Sequence, residues 1–167
     1  MQGSLEHVLD QIARRGSWWG GGSAAALSAA LSAAVAEKLT ATPARRRRMQ
    51  ALRRACVRLG SADADAFAQV IRASRSGDRS TFVRSLKHAT EVPYEVLARA
   101  HAVERACRDL ARTIRPRFRS DLRCARALAR AAGVSAQGFI DTNLAWLGDR
   151  GYARRMRRRL AGLRDAR

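Results

Sequence analysis

The stretch Gly20-Gly21-Gly22-Ser23-Ala24-Ala25-Ala26-Leu27 decides the fold of this chain. Three consecutive glycines let the backbone adopt φ > 0 and approach a ligand closely. Ser23 follows at the position typical of a helix N-cap, and the sequence predicts an alanine-rich helix from there to about Ala41. A glycine turn at a helix N-terminus is also a candidate anion site, because free N–H groups and the helix dipole point at the ligand. The alternative is a flexible entry into a central core helix.

The predicted helix carries its large apolar side chains on one stripe. Leu27, Leu31, Val35 and Leu39 recur at steps of four, which places them on one helix face. Alanine and serine occupy the other faces, so we expect neighbouring helices to pack very close to this one. That broad surface of small residues also predicts a homodimer.

Length and composition favour one all-α domain spanning residues 1–167. Alanine and leucine dominate and runs of β-branched residues are absent, which is typical of helical proteins. We expect a compact bundle of about six to seven antiparallel helices. The chain is long enough to bury a substantial hydrophobic core.

The net charge of +19 indicates a polyanionic partner, such as nucleic acid, a phosphorylated ligand or a polycarboxylate. Only Lys38 and Lys87 are lysines among the basic residues. A bias toward arginine and alanine is equally typical of a GC-rich genome. An arginine-rich helical module that binds polyanions or nucleic acid is therefore the alternative function, although no nucleic-acid-binding motif is recognisable.

The cysteines and the N-terminus predict a cytoplasmic protein. The chain has an odd number of cysteines, and none of them has CxxC spacing: Cys56, Cys107 and Cys124. We therefore expect them to be small buried residues rather than disulfide partners or metal ligands. The first residues lack the pattern of a secretory signal peptide. The alanine-rich stretch is too short to span a bilayer before Glu37 and Lys38 interrupt it.

The positions of proline, glycine and serine along the chain predict the other helices. A first helix runs from Ser4 to about Arg15, and Pro43 begins another that continues through Ile71. Val92-Pro93 and Gly133 each indicate a break between helices. Ser120 is expected to cap the helix that follows it, with Asp121 in the first turn.

Two polar side chains stand out on apolar helix faces. Asp63 lies four residues before Phe67 and shares its face. A carboxyl group drawn toward the interior has a raised pKa, which suits acid–base chemistry near neutral pH. Asn143 shares a face with Phe139 and Trp146 and needs a buried partner from the protein or a ligand. A solvated aspartate at the edge of the stripe is the alternative for Asp63.

In motif order the chain resembles the cyclodeaminase domain of formiminotransferase-cyclodeaminase and its relative methenyltetrahydrofolate cyclohydrolase. The matching pieces are Gly20–Ala26, Asp63-Ala64-Asp65-Ala66-Phe67, Val92-Pro93, Ser120-Asp121-Leu122 and Asn143-Leu144. The resemblance extends from Leu5 to Leu163 and is carried by the order and spacing of these motifs.

The resemblance implies a cyclodeaminase-like helical fold, a homodimer and a folate site near the glycine turn. It implies chemistry on the one-carbon unit between N5 and N10 of tetrahydrofolate, with no bound cofactor, metal or nucleotide and a tetrahydrofolate derivative as substrate. Asp63 would shuttle the proton and Asp121 would be the second catalytic candidate. The substrate contacts implied are Gly20, Gly21, Gly22, Ser23, Ser120 and Asn143.

Three departures from the family pattern leave alternatives open. Trp18-Trp19 replaces a Thr-Pro pair, Ile114-Arg115 replaces Gly-Asn, and an expected asparagine near Phe139 is missing. Each lies where the resemblance implies ligand contact, so a different substrate or an inactive family member is the alternative.

A basic rim beside the site would attract a folate polyglutamate tail by electrostatics. The residues expected to form it are Arg115, Arg117 and Arg119.

Overall fold

Six α-helices and one short 3₁₀ helix form the fold in the computed structural model, which describes residues 4–165. The α-helices are α1 (Leu5–Ala13), α2 (Gly21–Leu39), α3 (Pro43–Arg75), α4 (Arg79–Ala111), α5 (Arg119–Leu147) and α6 (Arg150–Asp165), with the 3₁₀ helix at Pro116–Phe118. No β-strand occurs in this part of the chain, which confirms the predicted all-α bundle.

Helix α2 lies at the centre and packs against α3, α4 and α5. Its buried residues are all glycine, alanine or serine, because helices on three sides approach too closely for larger side chains. The leucine stripe is left at the margins of these contacts, and Leu31 is 54% exposed. The prediction of close packing on the small faces is confirmed. Those faces are used within the chain, however, so they give no reason to expect a dimer.

The expected break at Val92-Pro93 is wrong, because Pro93 lies inside the continuous helix α4. The expected break at Gly133 is also wrong, because α5 runs through it. Gly133 is buried against α4, and a Cβ there would lie 3.4 Å from Leu97 Cδ1. A Cβ at that distance would make an ordinary van der Waals contact, so an alanine would also fit between the two long helices.

Two predicted serine caps are also wrong. Helix α2 begins two residues before Ser23, and its N-cap is Gly20. Helix α5 begins one residue before Ser120, and its N-cap is Phe118 with no side-chain hydrogen bond. Ser4 does cap α1, since its hydroxyl accepts a hydrogen bond from the His7 amide.

The cysteines divide between the core and the surface. Cys56 and Cys107 are buried as predicted, and burial raises the pKa of both thiols to about 11. Cys124 is exposed, which corrects the expectation for that residue. Among residues 4–165, none of the helices has both the length and the hydrophobicity needed to cross a lipid bilayer.

Candidate active site

A pocket of about 360 Å³ opens between the glycine turn and helices α3, α4 and α5. Its walls are mostly apolar, and five of the lining residues are aromatic: Trp18, Trp19, Phe67, Phe139 and Trp146. The polar lining side chains are Ser17, Asp63, Thr142 and Asn143. Asp63 is the one ionisable group among the residues that line this pocket.

Four of the five aromatic side chains that line the pocket are exposed, and Trp19 is partly buried. Trp18 is 42% exposed, and its ring meets Phe67 edge-to-face at 6.2 Å between centroids. Trp146 is 46% exposed and meets Phe82 in the same way at 5.3 Å. Exposed aromatic rings around an apolar cavity are typical of a binding site, and a flat ligand could stack on them.

Asp63 is held at the first turn of α2. The Ser23 hydroxyl donates a hydrogen bond to Asp63 Oδ2 at 3.2 Å. Burial raises the pKa of the Asp63 carboxyl, and the hydrogen bond from Ser23 opposes part of that rise. The prediction of a partly buried carboxyl with a raised pKa is confirmed.

Gly21 and Gly22 are required by close approach to side chains of this chain, whereas a Cβ at Gly20 would meet nothing within 4 Å. None of Gly20, Gly21 and Gly22 has a positive φ. A Cβ at Gly22 would lie 2.5 Å from Asp63 Oδ2 and closer still to Oδ1, and a Cβ at Gly21 would lie 2.7 Å from Phe139 Cζ. The turn therefore accommodates a carboxylate and a ring, and Asp63 occupies the helix N-terminus that the sequence suggested for a ligand anion.

Asn143 reaches the pocket from α5. Its Nδ2 donates a hydrogen bond to the Ala89 carbonyl oxygen at 3.0 Å. Ala89 and Pro93 of α4 line the same pocket. The expected partner of Asn143 is the backbone of α4, and this hydrogen bond is partly rather than fully buried.

The other predicted site residues lie elsewhere in the chain. Asp121 pairs with Lys38 at 3.2 Å between Oδ2 and Nζ, near the C-terminal end of α2. Lys38 is 16 positions from Gly22, which is roughly 24 Å along the helix. Neither Ser120 nor Asp121 lines the pocket, and neither do Arg115, Arg117 and Arg119. Their functional roles stay predictions.

Sequence reasoning did not assign Pro93, Thr142 and Phe67 to the site. The spacing of Phe139, Asn143 and Trp146 predicted a shared face of α5, and all three line the pocket. Phe67 shares the predicted apolar face with Asp63, yet it is 45% exposed. Its position one helical turn after the candidate acid Asp63 was the sequence feature that could have indicated a place for Phe67 in the pocket.

The sequence model of the formiminotransferase-cyclodeaminase family matches residues 4–162. Among solved structures, formiminotetrahydrofolate cyclodeaminase from Thermotoga maritima superposes with a TM-score of 0.91 at 22% sequence identity. The superposition covers 98% of this chain and 89% of that one, and at this identity it shows a shared fold. No curated protein matches the sequence.

Proposed function

The chain belongs to the formiminotransferase-cyclodeaminase family, and on that premise we propose that it is a folate-dependent one-carbon enzyme. Its substrate would carry a one-carbon unit on N5 or between N5 and N10 of tetrahydrofolate. The formimidoyl cyclodeaminase reaction and the methenyl cyclohydrolase reaction both fit this description. The structural likeness to the Thermotoga protein supports the fold on which either reaction would run.

Either reaction needs a group that moves a proton at the one-carbon centre. In cyclodeamination, N10 attacks the protonated formimino carbon on N5, which gives a tetrahedral carbon bound to N5, N10 and an amino group. N10 then loses one proton and the amino nitrogen gains one. Ammonia leaves with its bonding pair, and the methenyl cation remains. A single carboxylate that accepts the N10 proton and then, as the carboxylic acid, returns it to the leaving nitrogen balances the step.

The observation that carries the proposal is Asp63, held by Ser23 against Gly22 in an aromatic pocket. Burial raises the pKa of this carboxyl, which brings its protonated and ionised forms closer in population near neutral pH. That is the condition for efficient general acid–base catalysis. We propose that Asp63 is the proton shuttle and that Asp121 is at most a secondary candidate.

The remaining pocket residues would bind the folate. Exposed rings such as Trp18 and Trp146 offer faces on which a pterin or benzoyl ring could stack. Asn143 would contact the polar edge of the pterin. Since Ser23 is fully buried and bonded to Asp63, we propose that it positions the acid rather than contacting the substrate.

The test is to incubate the purified chain with 5-formiminotetrahydrofolate and, separately, with 5,10-methenyltetrahydrofolate, and to follow the methenyl absorbance. A rise with the first substrate identifies the cyclodeaminase, and an accelerated fall with the second identifies the cyclohydrolase. Folate binding without turnover would indicate an inactive family member. Absence of both binding and turnover would contradict the proposal.

We also propose a homodimer, on grounds other than the small-residue faces of α2. Leu31 on α2 and Leu5 and Leu9 on α1 are 54%, 68% and 54% exposed. Large exposed aliphatic side chains on neighbouring helices are candidates for burial against a second copy.

A further inference from the structure

Pro93 leaves one backbone carbonyl of α4 without its usual partner. In an α-helix the carbonyl of residue i accepts from the N–H of residue i+4. Pro93 has no N–H, so the Ala89 carbonyl lacks an intrahelical donor at that position. The Asn143 side chain supplies the missing donor from α5, with Nδ2 at 3.0 Å from the Ala89 oxygen.

This hydrogen bond decides which way the Asn143 amide faces. An asparagine side chain can rotate by half a turn and exchange its donor and acceptor ends, so its hydrogen bonds decide the orientation. A carbonyl oxygen accepts only, so Ala89 requires the NH₂ end of the amide. The Oδ1 end then points away from that contact. Among the side chains that the structure describes, Oδ1 has no hydrogen-bond partner and is not sealed from solvent.

We propose that Pro93 positions Asn143 so that Oδ1 is a fixed hydrogen-bond acceptor in the pocket, selecting ligands with an N–H or amino group at that point. The inference rests on the proposed function, since the pterin ring of a folate carries both a ring N–H and an amino group. Pro93 acts as a positioning residue through Ala89. Asn143 is the residue that determines specificity.

Two other hydroxyl groups approach carbonyls on this part of α4, but neither carbonyl lies four residues before a proline. The Thr90 hydroxyl donates to the Leu86 carbonyl at 2.7 Å. The Tyr152 hydroxyl donates to Glu91 Oε1 at 2.8 Å and lies 3.3 Å from the Lys87 carbonyl oxygen. Leu86 and Lys87 lie four residues before Thr90 and Glu91, which have backbone N–H groups, so of these three carbonyls only that of Ala89 depends on a side-chain donor. Asn143 is the one of the three donors that lines the aromatic pocket.

A double-mutant cycle in the full chain tests this coupling, with 5-formyltetrahydrofolate as a stable reduced-folate probe and calorimetry as the readout. Pro93→Ala restores the backbone N–H and lets it compete for the Ala89 carbonyl. We expect each of Pro93→Ala and Asn143→Ala to weaken binding about 3- to 10-fold, the range for one hydrogen bond. The double variant should bind no more weakly than Asn143→Ala alone.

Additive losses in the double variant would overturn the inference, because Pro93 would then act by shaping the pocket rather than through Asn143. Unchanged binding in Pro93→Ala would overturn it as well. Tyr152→Phe is the matched control. It removes a side-chain donor to Glu91 of α4, outside the pocket, so it should lower thermal stability and leave the folate affinity unchanged.

The polarity of the contact is tested with Asn143→Asp at pH 8. The carboxylate would face the unpaired Ala89 carbonyl, so binding should fall below that of Asn143→Ala. Adding Pro93→Ala pairs that carbonyl within the helix, so it should improve binding in the Asn143→Asp background. Wild-type affinity in Asn143→Asp alone would overturn the fixed orientation. If the wild-type chain binds no reduced folate, the proposed function fails and this inference fails with it.

Discussion

The carboxylate of Asp63 lies against the backbone of Gly22, so closely that any side chain at that glycine would collide with it. A Cβ there would be 2.5 Å from Oδ2, and real non-bonded contacts of carbon with oxygen lie well above 3 Å. The first turn of α2 and the candidate acid on α3 thus form one unit. The glycine allows the acid to reach the helix N-terminus.

Gly22→Ala should therefore reduce turnover while the helical circular dichroism is retained. The added methyl group would push the carboxylate aside, and a displacement of about 1 Å at a reacting group is enough to cost roughly 100-fold in rate. Gly162→Ala on α6 is the control, since its Cβ meets nothing within 4 Å. Turnover in Gly22→Ala equal to that of the control would contradict this geometry.

Asp63→Asn should lower turnover by about two to four powers of ten, the usual contribution of a general acid–base group. The amide is nearly the same size as the carboxyl and can still accept a hydrogen bond from Ser23, so we expect folate binding to persist. Asp65→Asn, two positions away and exposed, provides the matched control. Near-normal turnover in Asp63→Asn would direct attention to Asp121.

Asp63→Asn should also raise thermal stability at neutral pH. Because burial raises the pKa of Asp63 in the folded state, the folded chain binds its proton more tightly than the unfolded chain does. Ionisation of the carboxyl thus destabilises the fold as the pH rises above the unfolded pKa of about 3.9. Melting curves should show a gain for the variant that grows from pH 4 to pH 7. A gain independent of pH would contradict the raised pKa.

Ser23→Ala should move the limb of the pH–rate profile that reports Asp63 to higher pH. The Ser23 hydroxyl lowers the pKa of that carboxyl and burial raises it. Removing the hydroxyl should therefore raise the pKa further. Ser32→Ala is the matched control on the same helix, because its buried hydroxyl donates to the Ala125 carbonyl at 2.6 Å. We expect Ser32→Ala to lose about 1 kcal/mol of stability and to keep the pH–rate profile of the wild-type chain. Equal profiles for both variants would exclude a positioning role for Ser23.

Leu31→Glu should dissociate the proposed homodimer. Leu31 is 54% exposed on the central helix, and a charge buried there in an interface would be strongly unfavourable. Sedimentation at micromolar concentration should give a dimer for the wild-type chain and a monomer for the variant. A wild-type chain that sediments only as a monomer would refute the dimer.

The sequence by itself determined the class of the fold and the position of the acid. Residues that favour helix predominate, and the apolar stripes have helical period, so an all-α bundle follows from local preference. Asp63 could be identified as a candidate because the same helical period places it on an apolar face of its helix. Pro93 and Gly133 misled the sequence reasoning, because both are typical of helix ends when no neighbouring helix is considered.

Only the tertiary structure decided what those residues do. Pro93 lies within α4, and a side chain 54 positions from Ala89 donates to the carbonyl that the proline leaves without a backbone donor. Asp63 meets Ser23 across 40 positions, while Asp121 lies at the far end of α2. Local sequence specifies helices and their faces, since both depend on residues within one or two turns. The pocket depends on how the helices dock, which is a property of contacts far apart in the chain.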